Sequence, residues 1–146
     1  MKTVRDDTGK HYLLLKRSDS ASLVRDPDTG NECYVQNDRL ESIDESPLET
    51  AARTVESPVR TLLTAVHDEQ TLGLVVEIAD RGPLGIHTLL DAYDLCESDL
   101  HGRLSVLTAS ELLAETELES TGERGYRVTE ECEQALAVLR ATEDTN

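Results

Sequence analysis

The chain has 146 residues, 38% of them apolar, and a formal charge of −16, which leaves room for one domain or two small ones over a modest core. No apolar run approaches the ~20 residues of a membrane span. No charged-then-apolar start suggests a signal peptide, so a soluble, cytoplasmic chain is expected.

The carboxylates are interleaved with regular apolar periodicity, which argues for a folded chain rather than an acidic disordered one. Cys33, Cys96 and Cys132 are widely spaced without a CxxC, and His11, His67, His87 and His101 lack paired-ligand spacing. No metal or other cofactor is expected, and the thiols are expected to be free and buried or half-buried.

In chain order, VRDDTGKHYLLL (4–15) returns as VRDPDTGNECYV (24–35). Each copy runs into an Asp-Thr-Gly turn, where Asp caps with its side chain and Gly accepts positive φ. With Ser18–Ser22 as a further turn, residues 1–45 read as a four-stranded antiparallel meander. Tyr12 and Leu14 would face its core, with Leu23 and Tyr34 as further candidates. Paired D-T-G also occurs in aspartic proteases, but these two copies lie too close together for two protease lobes and lack the flanking apolar strand.

Residues 36–46 are polar and read as a linker. The segment 46–68 reads as connecting helices. The first has Ser46 as N-cap, Pro47 at the first helical position and Glu49 at the third; Ser57-Pro58 repeats the device. Val59, Leu62, Leu63 and Val66 would form one stripe.

TLGLVVEIADRG (71–82) is apolar almost all round and reads as a buried helix stopped by Gly82 and Pro83. Ile86, Leu89, Leu90 and Tyr93 share a face of the next helix. After the LCES turn, Ser98 is a candidate N-cap for a helix whose Leu100, Leu104 and Leu107, with Leu112 beyond, point inward. AETELES and GYRVT read as a hairpin with its tip at Ser120–Gly125. A last helix follows Thr129 as N-cap, with Cys132, Ala135, Leu136 and Leu139 inward. Residues 142–146 are expected to fray.

The ordered set LLDAYDLCESDLHGRLSVLTASELL…GERGYRVTEEC resembles the winged helix-turn-helix regulators of archaea and bacteria. The match covers about residues 69–140 and rests on Leu95 in the turn, the Leu100, Leu104, Leu107 register, and Tyr126-Arg127-x-Thr129 closing the second wing strand. The family usually has Ala-Gly where this chain has Ser110-Glu111, and a glycine shortly after the Thr where it has Cys132. The resemblance implies a winged helix-turn-helix domain over 69–146. With the β-meander (1–45) and the connecting helices (46–68) read above from the residues, the expected fold is α+β, a small N-terminal antiparallel β-meander followed by a winged helix-turn-helix domain; the family offers no counterpart to the meander. The whole chain looks like an uncharacterised family of small haloarchaeal helix-turn-helix proteins. Its eleven arginines against three lysines and its absence of Phe and Trp are similar to the bias of proteins from salt-loving archaea.

The resemblance implies a transcriptional regulator binding double-stranded DNA. A recognition helix over about 98–110 would present its N-terminal residues to base edges, and a wing over about 119–127 would meet phosphate or minor groove. Outward on that helix would lie Glu97, Asp99, His101, Gly102, Ser105, Thr108 and Ala109, with Arg103 at the margin. Arg103 would read guanine, His101 a base or phosphate, and Ser98, Ser105 and Thr108 would add hydroxyl contacts; Arg124 and Arg127 would serve the wing. Against this, residues 69–146 hold seventeen acidic and five basic residues, so each missing phosphate contact forfeits counterion release. The competing reading is a winged-helix adaptor that meets protein, with Arg103 and Arg127 paired to neighbouring carboxylates. Apolar stripes at 47–68 and 130–141 suggest a homodimer. No nucleophile–base pair, glycine-rich phosphate loop or metal cluster suggests an enzyme.

Overall fold

The computed structural model describes residues 1–141, and the expected fraying of 142–146 lies outside them. The chain is α+β and divides into two compact units, Met1–Glu56 and Ser57 onward. The division falls inside the 46–68 segment, so its first helix belongs to the first unit and its second to the next. No helix among the described residues is long and apolar enough to cross a membrane.

In the first unit β1 (Lys2–Arg5), β2 (His11–Lys16), β3 (Ala21–Arg25) and β4 (Glu32–Gln36) form the antiparallel meander. The repeated turns close its hairpins with the same chemistry. Gly9 (φ 92°) donates to the Asp6 carbonyl at 3.1 Å, and Gly30 (φ 78°) to that of Asp26 at 2.8 Å. Asp6 Oδ1 accepts from the Thr8 hydroxyl at 2.6 Å and from the Thr8 and Lys10 N–H groups. Lys10 Nζ reaches Asp26 Oδ2 at 2.7 Å and joins the two turns.

The stretch expected to be a linker extends the sheet instead. After a 3₁₀ turn at Asn37–Arg39, β5 (Glu41–Ser42) pairs with β1, giving the order β4-β3-β2-β1-β5. Two residues are too few for alternation to show in a sequence.

Cross-strand partners share a face, and the register sets Leu14, Val24 and Cys33 together, with Ser22 beside Val35. The core is therefore Val4, Val24 and Val35, with Tyr12, Leu14 and Leu40 packed against it. Leu23 and Tyr34 are partners on the opposite face. Leu23 is half-buried, and Tyr34, expected in the core, is 63% exposed.

That second face buries Thr3 and Leu13 where α1 (Pro47–Ala52) meets β1 and β2. Ser46 caps α1, accepting from Leu48 N at 3.2 Å. The only buried residue of α1 is Thr50, whose hydroxyl meets that of Thr3 at 2.7 Å. Polar contacts therefore hold this helix down. The centre is Glu45, with a side chain 8% exposed: it accepts from His11 Nδ1 at 2.8 Å, from Thr50 Oγ1 at 2.9 Å and from Arg53 Nε. Burial pushes the Glu45 carboxyl up, but its donors outweigh this and leave it below the usual range.

The second unit opens with α2 (Ser57–Ala65), which buries Val59 and Leu62. Leu63, expected in the same stripe, is 58% exposed. Next comes α3 (Glu69–Arg81), capped by Asp68 and ended by Gly82 (φ 85°), whose N–H reaches the Ile78 carbonyl. It buries one face, Thr71, Leu74, Val75 and Ile78, rather than being enclosed all round; Leu72 is exposed. A strand not anticipated, β6 (Leu84–Gly85), precedes α4 (Ile86–Tyr93), which buries Leu89.

Helix α5 (Glu97–Ala109) buries Leu100, Leu104 and Leu107. Its N-cap is Cys96 with no side-chain cap, not Ser98, which is already helical because Leu100 N–H closes the first turn on the Cys96 carbonyl. The hairpin β7 (Leu113–Glu117) and β8 (Arg124–Val128) joins β6 in the order β6-β8-β7. Gly125, expected at the tip, lies in β8. There β6 passes so close that a Cβ would stand 2.8 Å from the Leu84 carbonyl oxygen.

Thr129 caps α6 (Glu130–Arg140), accepting from Cys132 N–H at 3.3 Å and donating to the Glu111 carbonyl at 2.7 Å. The helix buries Cys132, Ala135 and Leu136 and packs on α2, while Leu139 is exposed rather than inward. Of the three free thiols Cys132 alone is buried; Cys33 and Cys96 are exposed, contrary to expectation.

Candidate functional site

The three leucines of α5 sit in one core with Val75 and Ile78 of α3, Leu89 of α4 and Leu136 of α6, which turns the opposite face of α5 outward. Gly102, Ser105, Val106 and Ala109 are exposed on it. Ser98 and His101 are exposed as well. The Ser98 hydroxyl lies 3.6 Å from Cys96 Sγ, and its hydrogen bond holds that thiol below its ordinary range. His101 Nε2 lies 3.8 Å from Glu97. Thr108 is half-buried, and its hydroxyl donates back to the Leu104 carbonyl at 2.7 Å.

Arg103 is committed within the fold. Its side chain is 18% exposed, with Nε on Asp99 at 3.0 Å, one terminal nitrogen on Asp68 at 2.7 Å and on the Thr71 hydroxyl, and the other on Gln70 at 3.0 Å. Asp99 and then Asp68 raise its already high pKa. Asp68 is held low by the Thr71 N–H and by Arg103. One aspartate thus caps α3 and pins α5. The cap was readable from local sequence, but the bridge joins positions 35 apart and was not. A groove of about 340 Å³ lies beside it, lined among others by His67, Ser98, Gly102 and Val106.

The hairpin arginines differ. Arg124 is 68% exposed and only 3.8 Å from Glu115 at the closest, and Arg127 is exposed with one long bond, 3.4 Å, to the Val128 carbonyl. Their strand is braced from the loop side: Glu123 accepts from His87 N–H at 2.9 Å, so a carboxylate meets the first turn of α4. Glu123 was not singled out from sequence. Its offset of 36 from His87 carries no local signal. Among the described residues no group of His, Cys, Asp and Glu could hold a metal ion.

A family model described as a family of unknown function (DUF7346) matches residues 1–140. No curated protein and no solved structure matches the chain.

Proposed function

We propose a function for a chain that belongs to DUF7346, a family of unknown function: it is a transcriptional regulator whose second unit binds double-stranded DNA as a winged helix-turn-helix. In this reading α5 is the recognition helix and β7–β8 the wing. One observation carries it. An outward helix face backed by buried leucines is followed by a hairpin with two exposed arginines, in the order α3-β6-α4-α5-β7-β8. Base contact falls to His101, Ser98 and Ser105, with Gly102 permitting close approach, and phosphate contact to Arg124 and Arg127. Arg103 serves the helix's placement rather than guanine. Exposed Leu63 and Val138, on two helices that pack together, favour a homodimer.

The committed Arg103 favours a second reading, an adaptor that meets protein, because α5 then offers Glu97 and Asp99 but no free guanidinium. Selection from random duplexes in about 1 M potassium chloride separates the two. A regulator yields an enriched sequence. The Arg124→Ala/Arg127→Ala pair then weakens binding at least about tenfold and lowers the salt slope by about two. Arg103→Gln lowers thermal stability together with binding. No enrichment, with a protein co-purifying, establishes the adaptor.

A further inference from the structure

We propose that the outer edge of β7 accepts an extended, lysine- or arginine-rich segment of a partner protein as an added strand. Among the described residues β7 has one strand neighbour, β8. Thr129 N–H bonds the Leu112 carbonyl, and Leu118 N–H bonds that of Glu123. In an antiparallel ladder alternate residues turn toward the partner, so 114 and 116 face β8, and the exposed Glu115 and Glu117 turn their N–H and C=O groups outward, while Leu113 is buried in the core.

A groove of about 620 Å³ runs there. It touches the consecutive residues Leu113, Ala114 and Glu115 and none of β8, which locates it at the edge, since consecutive residues point to opposite faces. Thr108, Glu111, Thr129, Glu130 and Glu131 complete its lining.

Charge chooses the occupant. The lining holds four glutamates and no lysine or arginine. A second copy of β7 would set glutamates against glutamates, and phosphates would fare no better. An incoming strand with a cation at every second position sets them opposite Glu115 and Glu117, which share a face, while its backbone completes the ladder. This edge belongs to the hairpin that the DNA-binding reading assigns to the wing, but the proposal rests on the open ladder and the glutamates rather than on that reading.

The test is titration of the intact protein with a fluorescein-labelled octapeptide of alternating lysine and threonine in about 0.3 M potassium chloride, where the Debye length is a few ångströms. Saturable binding is expected, with amide shifts at Glu115 and Glu117. Methylating alternate backbone nitrogens of the peptide should weaken it at least about tenfold, as should Glu115→Pro, which removes an outward donor while sparing the β8 ladder. Equal binding of the methylated peptide, equal binding of a glutamate–threonine octapeptide, or no binding up to about 1 mM overturns the proposal.

Discussion

Glu111 ends α5 at φ 61°, a conformation that favours glycine. Leu112 N–H bonds the Leu107 carbonyl and Glu111 N–H that of Thr108, the paired bonds of a Schellman closure, whose left-handed position most often holds glycine. A glutamate at this left-handed position therefore carries strain that a glycine would not. Glu111→Gly relieves a left-handed cost of about 1–2 kcal/mol against about 0.5–1 kcal/mol of extra chain entropy. Its urea midpoint should rise; a fall would show that the Glu111 side chain contributes more than its backbone costs. The thiols are a second residue-level test. Burial pushes Cys132 up to about 11, whereas Cys33 and Cys96 are exposed and the Ser98 hydroxyl lowers Cys96. A disulfide reagent should modify two thiols in the native protein and the third only in urea, and Ser98→Ala should slow Cys96. Modification of all three at native rates would contradict the packing of α6.

At the scale of elements, α1 and Gly125 show how helices and strands are held. Glu45 fixes α1 to the sheet through its ionised form, so its folded pKa lies below the unfolded one. Its stabilisation is present above the unfolded value, near 4.5, and is lost as pH falls through the lower folded value. Glu45→Gln should cost about 1.5–3 kcal/mol near pH 7, typical of hydrogen bonds to a charged group, and flatten the loss of stability below pH 5. An unchanged acid profile would remove Glu45 as the pin. Asp6, lowered from an ordinary value near 3.8 chiefly by the Thr8 hydroxyl, also loses its stabilisation on acidification and is the control. Gly125→Ala drives a Cβ against the Leu84 carbonyl and should cost about 1–3 kcal/mol by urea titration. What could be read in advance follows the reach of each signal. Ser46, Asp-Thr-Gly, Gly82 and Thr129 act on backbone groups within a few residues, so the turns and helix ends show in the sequence. The Leu100, Leu104, Leu107 register shows equally well. By contrast β5 and β6 are two residues each, below any period, and Leu63 lies beside Leu62 on a turn that exposes one of the two. For the candidate site, the exposed arginines of the hairpin were legible as surface charge. Arg103 was legible only in part. Pairing with a neighbouring carboxylate is one reading of the sequence, and Asp99 is that neighbour. The acceptors Asp68, Gln70 and Thr71 stand 32 to 35 residues away and carry no local signal.

For the whole molecule, a charge of −16 opposes folding by self-repulsion, while the ion pairs favour it. Salt screens the two unequally because they act over different distances. The Debye length falls from ~10 Å at 0.1 M to ~3 Å at 1 M. Pairs such as Lys10–Asp26, Arg103–Asp68 and Arg140–Asp80, at 2.7–2.8 Å, remain inside that shorter length. Repulsion among carboxylates spread over the surface does not. Potassium chloride should therefore raise the urea midpoint between about 0.1 and 1 M, with most of the gain at the lower end where the Debye length changes fastest. Removing charge should act in the same direction. Asp19→Asn, Glu32→Gln and Asp91→Asn, all at exposed positions, should raise the midpoint at low salt and shrink the further gain from salt. A midpoint that falls with salt, or three substitutions that leave its salt dependence intact, would mean that contact pairs outweigh the net charge. The carboxylate surface would then not oppose folding at low ionic strength.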